Sequence, residues 1–278
     1  MLCECSDRAR LRRPMKRLTE KDDWSPDYVK ADIVQQLAAA ETFQRTNRNA
    51  RDLWDCILLP ILRTCNARTA VEIGSAPGQN LVKLAKELGV TPFGIEYTEE
   101  GARLNRELFV RNGLNPDNVL CEDFFSPALD SLAGTFDIVT SFGFVEHFDE
   151  PVPVIKRHID FCRVGGYVAI SIPNIQGIYY FWNKVFNPRV IETHNTAIMR
   201  NGVFFALCEE LDNFEIIFSG SNGAFEYGLL THNGSLISRA AVSIMRRLAP
   251  GLCLFDRLVL APLGAGHPSH LIVVGKKR

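Results

Sequence analysis

Val71-Glu72-Ile73-Gly74-Ser75-Ala76-Pro77-Gly78 is the stretch that decides the fold. An apolar run from Thr69 to Ile73 stops at Gly74, and small residues follow at Ser75, Ala76 and Gly78. Leu81, Leu84, Ala85 and Leu88 then recur at helical spacing. The pattern reads as a buried strand, a tight turn of small residues and a helix. Such a turn lets backbone approach a ligand closely, because few side chains stand in the way. A second short strand, Pro92 to Ile95, closes on Glu96, 22 positions after Gly74. A carboxylate there is where a nucleotide-binding α/β sheet grips ribose hydroxyls. A dinucleotide fingerprint would carry three glycines as G-x-G-x-x-G. Here the turn is G-S-A-P-G, and Pro77 removes a backbone donor, so it is a poor phosphate cradle.

Further strands follow in order. Val119–Phe125 contains a third that ends in Asp123, and Phe136–Ser141 is a fourth, followed by Gly143-Phe-Val-Glu-His-Phe148. Gly165–Asn174 is a fifth after a Gly-Gly turn, and Ser269–Lys277 is the last. Alternation of strands and helices implies a parallel sheet with right-handed crossovers. With these motifs in order, residues 68–174 resemble the class I S-adenosylmethionine-dependent methyltransferases, and 213–278 do so loosely. The family's E/D-x-G-x-G-x-G motif is matched by Glu72, Gly74, Ala76 and Gly78, with Ala76 in place of the middle glycine. The nearest resemblance is to the ubiquinone-biosynthesis type and to methyltransferases of sugar and secondary-metabolite pathways.

The resemblance implies a Rossmann-like, doubly wound, mostly parallel seven-stranded α/β sheet, with N-terminal helices and a cap inserted after the fifth strand. It implies S-adenosylmethionine as cofactor, held by Glu72, Gly74, Ser75, Ala76, Gly78, Glu96, Tyr97, Asp123, Phe124 and Ser141. Asp123 would take the adenine amino group and Phe124 would cover the ring. Candidate bases are His147, after the fourth strand, and His194, in Glu192-Thr-His-Asn195. Glu146 is a candidate helix-orienting or metal-binding residue. Trp24, Tyr28, Phe144, Tyr179, Tyr180 and Trp182 are candidates for the acceptor site or its lid, because Ile178–Phe186 packs five aromatics into nine residues. Packing of the chain on itself is the alternative for each of these residues.

Absent motifs narrow the reaction. Ser141-Phe-Gly-Phe144 replaces the Asn/Asp-Pro-Pro-aromatic motif of members that methylate nucleobase amino groups. Ser141 also stands where catechol-type members hold a divalent ion with an Asp, so no metal is expected. The expected activity is methyl transfer to a small molecule, oxygen before nitrogen. A non-catalytic cofactor-binding protein of the same fold and an RNA methyltransferase remain as alternatives. A nicotinamide oxidoreductase is disfavoured by the turn and by the lack of a Tyr-x-x-x-Lys pair.

The 278 residues carry a net charge of -1, so no global field draws the chain to DNA. They suit one α/β domain with a cap. Residues 1–22 are expected to be a disordered arm, with Arg8, Arg10, Arg12, Arg13, Lys16 and Arg17 against Glu4, Asp7 and Glu20. Residues 23–66 form N-terminal helices (26–49 and 51–65), 67–174 the cofactor-binding core, 175–235 the lid and 236–278 the last helix and strand. Eight scattered cysteines without a C-x-x-C pair, and no apolar signal-peptide core, suggest a reduced cytoplasmic protein. His158 reads as structural, beside the apolar stripe of Val154, Ile155, Ile159 and Cys162. The segment 235–263 combines Arg239, Arg246 and Arg247 with apolar residues, which suits a peripheral membrane contact, a homodimer contact or core.

Overall fold

The computed structural model describes residues 16–24, 33–200 and 202–278. Seven strands form one sheet: β1 Thr69–Ile73, β2 Thr91–Glu96, β3 Val119–Cys121, β4 Phe136–Phe142, β5 Cys162–Pro173, β6 Phe214–Asn222 and β7 His270–Lys277. Their order across the sheet is β3-β2-β1-β4-β5-β7-β6. Pairings from β3 through β5 are parallel, while β7 runs antiparallel to both β5 and β6. The chain first winds outward from β1 to β3, then returns to lay β4 beside β1. That reversal opens a crevice at the carboxyl ends of β1 and β4, where ligands bind in sheets of this kind. Register aligns the crevice: Ile73 sits opposite both Ile95 and Ser141. The residues that end β1, β2 and β4 therefore reach the same edge.

Central strands are buried on both faces, as β1 and β4 show almost without interruption. Helices α1 Ile33–Thr46, α2 Arg48–Asp52, α3 Leu59–Leu62, α4 Gln79–Leu88 and α5 Glu99–Arg111 cover one face, where Leu37, Trp54, Leu81, Leu104 and Phe109 share a core. A wider π-helical stretch, Leu53–Leu58, joins α2 to α3. Helices α6 Pro151–Phe161, α7 Ile178–Phe186, α8 Pro188–Glu192 and α9 Val203–Glu209 contribute to the opposite face, where Val154, Ile155, Tyr179 and Phe204 are buried. Asp137 fastens the other edge of the sheet. One of its oxygens accepts from the backbone N–H of Arg68 (2.8 Å) and Thr69 (2.9 Å), and Arg163 pairs with the other. Burial pushes its pKa up, but these donors outweigh burial and hold it at about 2.

Three features differ from the sequence reading. β6 lies inside the 175–235 segment assigned to the lid, because its alternating burial gives no continuous apolar run. The last helix, which the sequence places over Ser235–Leu248, is longer: α10 spans Leu236–Phe255 and runs through Pro250. Residues 16–22, read as an arm, lie against the body: Leu18 donates to the His147 carbonyl (2.8 Å), Asp149 donates to that of Lys16 (3.2 Å), and Arg17 bridges to Phe148. Residues 21–24 add one helical turn. Tyr28 and the expected helix start at Pro26 lie outside the described residues. Among the described residues, no helix is long and apolar enough to cross a membrane.

Candidate active site

The turn after β1 is locked from beneath. Gly74 and Gly78 have φ of 69° and 104°, the left-handed region that favours glycine. A Cβ on Gly78 would lie 2.2 Å from Asn105 Oδ1, and one on Gly74 would lie 3.2 Å from the Phe144 ring. Asn105, on α5, also donates to Ser75 Oγ (2.6 Å). Below the turn, Glu72 accepts from Asn80 (2.9 Å), which in turn accepts from the Trp54 indole (3.2 Å). The second carboxyl oxygen of Glu72 is buried without a partner. Burial, with a smaller contribution from the charge of Glu96, raises its pKa to about 8 against the opposing bond from Asn80.

Glu96 ends β2 with its side chain turned into the same turn. Its Oε1 accepts from Thr98 N (3.0 Å) and Oγ1 (2.7 Å), and Oε2 accepts from Ala76 N (3.3 Å). Thr98 caps α5, accepting from Gly101 N (3.2 Å). A Cβ on Gly101 would press on Thr98 Oγ1 at 2.6 Å and on Ala76 Cβ at 3.0 Å. The carboxylate position thus depends on two helix starts and one glycine.

Asp123 follows β3. Its Oδ1 accepts from Phe125 N (2.9 Å) and from the Arg17 guanidinium (2.5 Å). Arg17 also lies 4.9 Å from the centre of the Tyr97 ring, with Lys21 at a similar distance. Phe124 packs edge-on against Phe144 and His158. His158 is fully buried and donates from Nδ1 to the Val154 carbonyl (2.8 Å), and burial lowers its pKa to about 4. That agrees with a structural role.

These groups enclose a cavity of about 230 Å³, polar toward Glu96, Glu122, Asp123 and Arg17 and aromatic toward Trp24, Phe142, Phe144 and Phe148. His147 reaches it from the single 3-10 turn after β4. The Trp24 ring stands perpendicular to it at 4.7 Å. His147 Nδ1 donates to the Thr193 carbonyl (2.8 Å), which leaves the lone pair on Nε2. Burial and the neighbouring His194 lower its pKa to about 3. His194 likewise donates from Nδ1 to the Val190 carbonyl (2.8 Å), and burial lowers its pKa to about 4. Glu146, beside His147, is 1 % exposed, and burial raises its pKa to about 8.

Of the residues expected at the site, Gly74, Ala76, Glu96, Tyr97, Asp123, Phe124, Trp24, Phe144 and His147 line the cavity. Glu72, Ser75, Gly78 and Ser141 sit behind its wall, and Ser141 Oγ is buried without a partner. Tyr179, Tyr180 and Trp182 do not line it. Tyr179 is buried in the core, where its hydroxyl accepts from Glu226 N (2.8 Å), and Trp182 donates to the Thr231 carbonyl (3.0 Å). Tyr179 and Trp182 thus tie α7 to the segment after β6. The sequence reading missed Arg17, Thr19, Glu122, Phe142 and Phe148, which also line the cavity. Phe142 could have been found as the residue ending the fourth strand. Nothing local marks Arg17.

Residues 26–197 match the model of the methyltransferase domain family, and the chain belongs to that family. Its cofactor is S-adenosylmethionine, and the residues fit it. A Cβ would clash at Gly78 in the turn and at Gly101 in the first turn of α5, acids stand at Glu96 and Asp123, and Phe124 and Tyr97 supply ring surfaces. Among solved structures, the chain is similar to a proposed methyltransferase of Bacillus halodurans (TM-score 0.53, 15% identity, 79% of this chain and 97% of that one). It is also similar to the geranyl diphosphate C-methyltransferase of Streptomyces coelicolor A3(2) (0.51, 12%, 81% of each). A third is the YcgJ protein of Bacillus subtilis (0.50, 13%, 79% and 97%). At these identities the likeness is one of fold. No curated protein matches the chain.

Proposed function

We propose that this protein transfers a methyl group to a small molecule, with oxygen the favoured acceptor atom. The observation that carries the reading is the enclosed aromatic wall of Trp24, Phe144 and Phe148 with one unshared imidazole lone pair, His147 Nε2, beside it. The bound cofactor supplies a methyl already activated by a positive sulfur. Glu96 and Asp123 hold the nucleoside end. The rings exclude water and narrow the acceptor's approach, and orientation of this kind contributes roughly 7–11 kcal/mol in well-aligned cases. His147, neutral at physiological pH, accepts a hydrogen bond from an acceptor O–H and aims the oxygen. The test is incubation of the protein and labelled S-adenosylmethionine with an extract of the source cells, followed by separation into organic, aqueous and macromolecular fractions. Label in either small-molecule fraction is expected. Label confined to RNA or protein would replace this reading.

A second observation concerns where the acceptor is met. α10 buries only Ser238 and Ala249, exposes Leu236, Ile237, Ile244 and Leu248, and carries Arg239, Arg246 and Arg247 with no acid between 236 and 255. Its carboxyl end is anchored: Asp256 accepts from Phe225 N (2.9 Å), and Arg257 pairs with Asp52 (2.6 Å). An apolar and cationic face of this kind complements an anionic membrane surface. Flotation with vesicles should show binding that rises with the anionic lipid fraction and falls with salt. A dimer in solution without vesicle binding would assign the face to a second copy instead.

A further inference from the structure

Glu146, His147 and His194 come together from two segments far apart in sequence. One donor atom from each lies within 4.8 Å of the others. The two imidazoles are already oriented: each donates from Nδ1 to a backbone carbonyl at 2.8 Å, Thr193 for His147 and Val190 for His194. A carbonyl can only accept, so both Nδ1 atoms carry hydrogen and both Nε2 atoms present lone pairs. Metal-bound histidines are usually fixed in this way, through the second ring nitrogen. Glu146 is the third member. It is 1 % exposed, its Oε2 has no partner, and its Oε1 lies 3.7 Å from His147 Nε2, beyond hydrogen-bond range. A buried carboxyl oxygen without a donor is costly to leave so. Two imidazole lone pairs and a carboxyl group thus meet within 4.8 Å, and neither neutral imidazole offers a hydrogen from Nε2.

We propose that Glu146, His147 and His194 form a binding site for one divalent transition-metal ion, of the zinc class, in the wall of the cavity. Two imidazole nitrogens and one carboxylate suit zinc, iron or cobalt better than magnesium or calcium, which prefer oxygen donors. Three protein ligands leave coordination positions open. Because His147 also lines the cavity, those positions lie beside the space for the acceptor; a bound ion takes the Nε2 lone pair, so in the metal-loaded protein the acceptor oxygen would meet the ion in place of the imidazole. Only this placement of the acceptor rests on the methyl-transfer reading; the binding itself does not.

The full chain, stripped with a chelator and dialysed, is titrated with Co²⁺ while visible absorption is followed, and then with Zn²⁺ in a calorimeter. One ion per chain is expected, with absorption typical of nitrogen and oxygen ligands. Glu146→Gln and His194→Ala should each weaken that event at least tenfold. S-adenosylhomocysteine binding by both variants should remain within about twofold, since neither residue lines the cavity, and this reports that they fold. Failure of the native chain to bind either ion would overturn the proposal. So would affinity unchanged in both folded variants, which would assign the ion to other ligands. Metal binding without methyl transfer to any extract fraction would leave the site standing and remove the proposed activity.

Discussion

Replacing Glu96 by Gln separates cofactor recognition from the scaffold that serves it. The carboxylate accepts from Thr98 N, Thr98 Oγ1 and Ala76 N. An amide of the same shape keeps one oxygen, which goes to Thr98, where two donors wait. Its NH₂ then meets the N–H of Ala76, so a donor faces a donor. That change should lower stability by about 1–3 kcal/mol, the cost of one stranded group in a buried setting. With Glu96 in the proposed ribose-binding role, the hydroxyls lose the matching acceptor, which should weaken binding by about 1–3 kcal/mol, or about 5–150-fold in Kd. The assay is calorimetric titration with S-adenosylhomocysteine, paired with urea unfolding of the unliganded chain. Destabilisation with Kd unchanged within twofold would refute the ribose role and leave Glu96 as a brace for the turn.

Gly78→Ala should cost about 1–3 kcal/mol, because φ is 104° and the new Cβ would meet Asn105 Oδ1 at 2.2 Å; a lowered Tm and weaker cofactor binding check it. Asp137→Asn tests the far edge of the sheet by pH. The folded pKa of about 2 lies below an unfolded value near 3.9, so the contribution is full above about pH 4 and is lost as pH falls through 2. The shift corresponds to about 2.5 kcal/mol at most, and partial exposure of Arg163 brings the expectation to about 1–2 kcal/mol. Urea unfolding of both proteins from pH 7 to pH 2 should show curves that converge at low pH; a constant gap would refute the linkage.

Most of the sheet was legible because its strands are short apolar runs closed by Gly, Asp or Pro, as at Thr69–Ile73 and Phe136–Phe142. β6 was not, since an edge strand that alternates between partly buried and exposed residues resembles a loop in sequence. That Gly74, Glu96 and Asp123 share one cavity was legible for the same reason as the strands: they stand at or just after strand ends, and register brings them together. The acceptor side was not. Aromatic content along 178–186 marks burial without saying against what, and Tyr179 turned into the core. His194 reaches His147 only through the packing of α8, and a separation of 47 positions leaves no local trace. Arg17 lies in a charged run like any solvated one until Asp123 and Tyr97 are placed around it.

Under the proposed function, the segment 16–24 is a wall common to two ligands. At one end Arg17 holds Asp123, the proposed nucleoside position, and at the other Trp24 rests on His147 while Asp23 pairs with Arg189 of α8. Between them, Leu18 is fixed to the His147 carbonyl. Anything that displaces Arg17 must shift or strain the same nine residues that border the acceptor. Thermodynamic linkage makes such an influence mutual, so an acceptor that settles this wall tightens the cofactor by the same factor. Acceptor preferences measured on the cofactor-free chain are therefore those of a different binding surface.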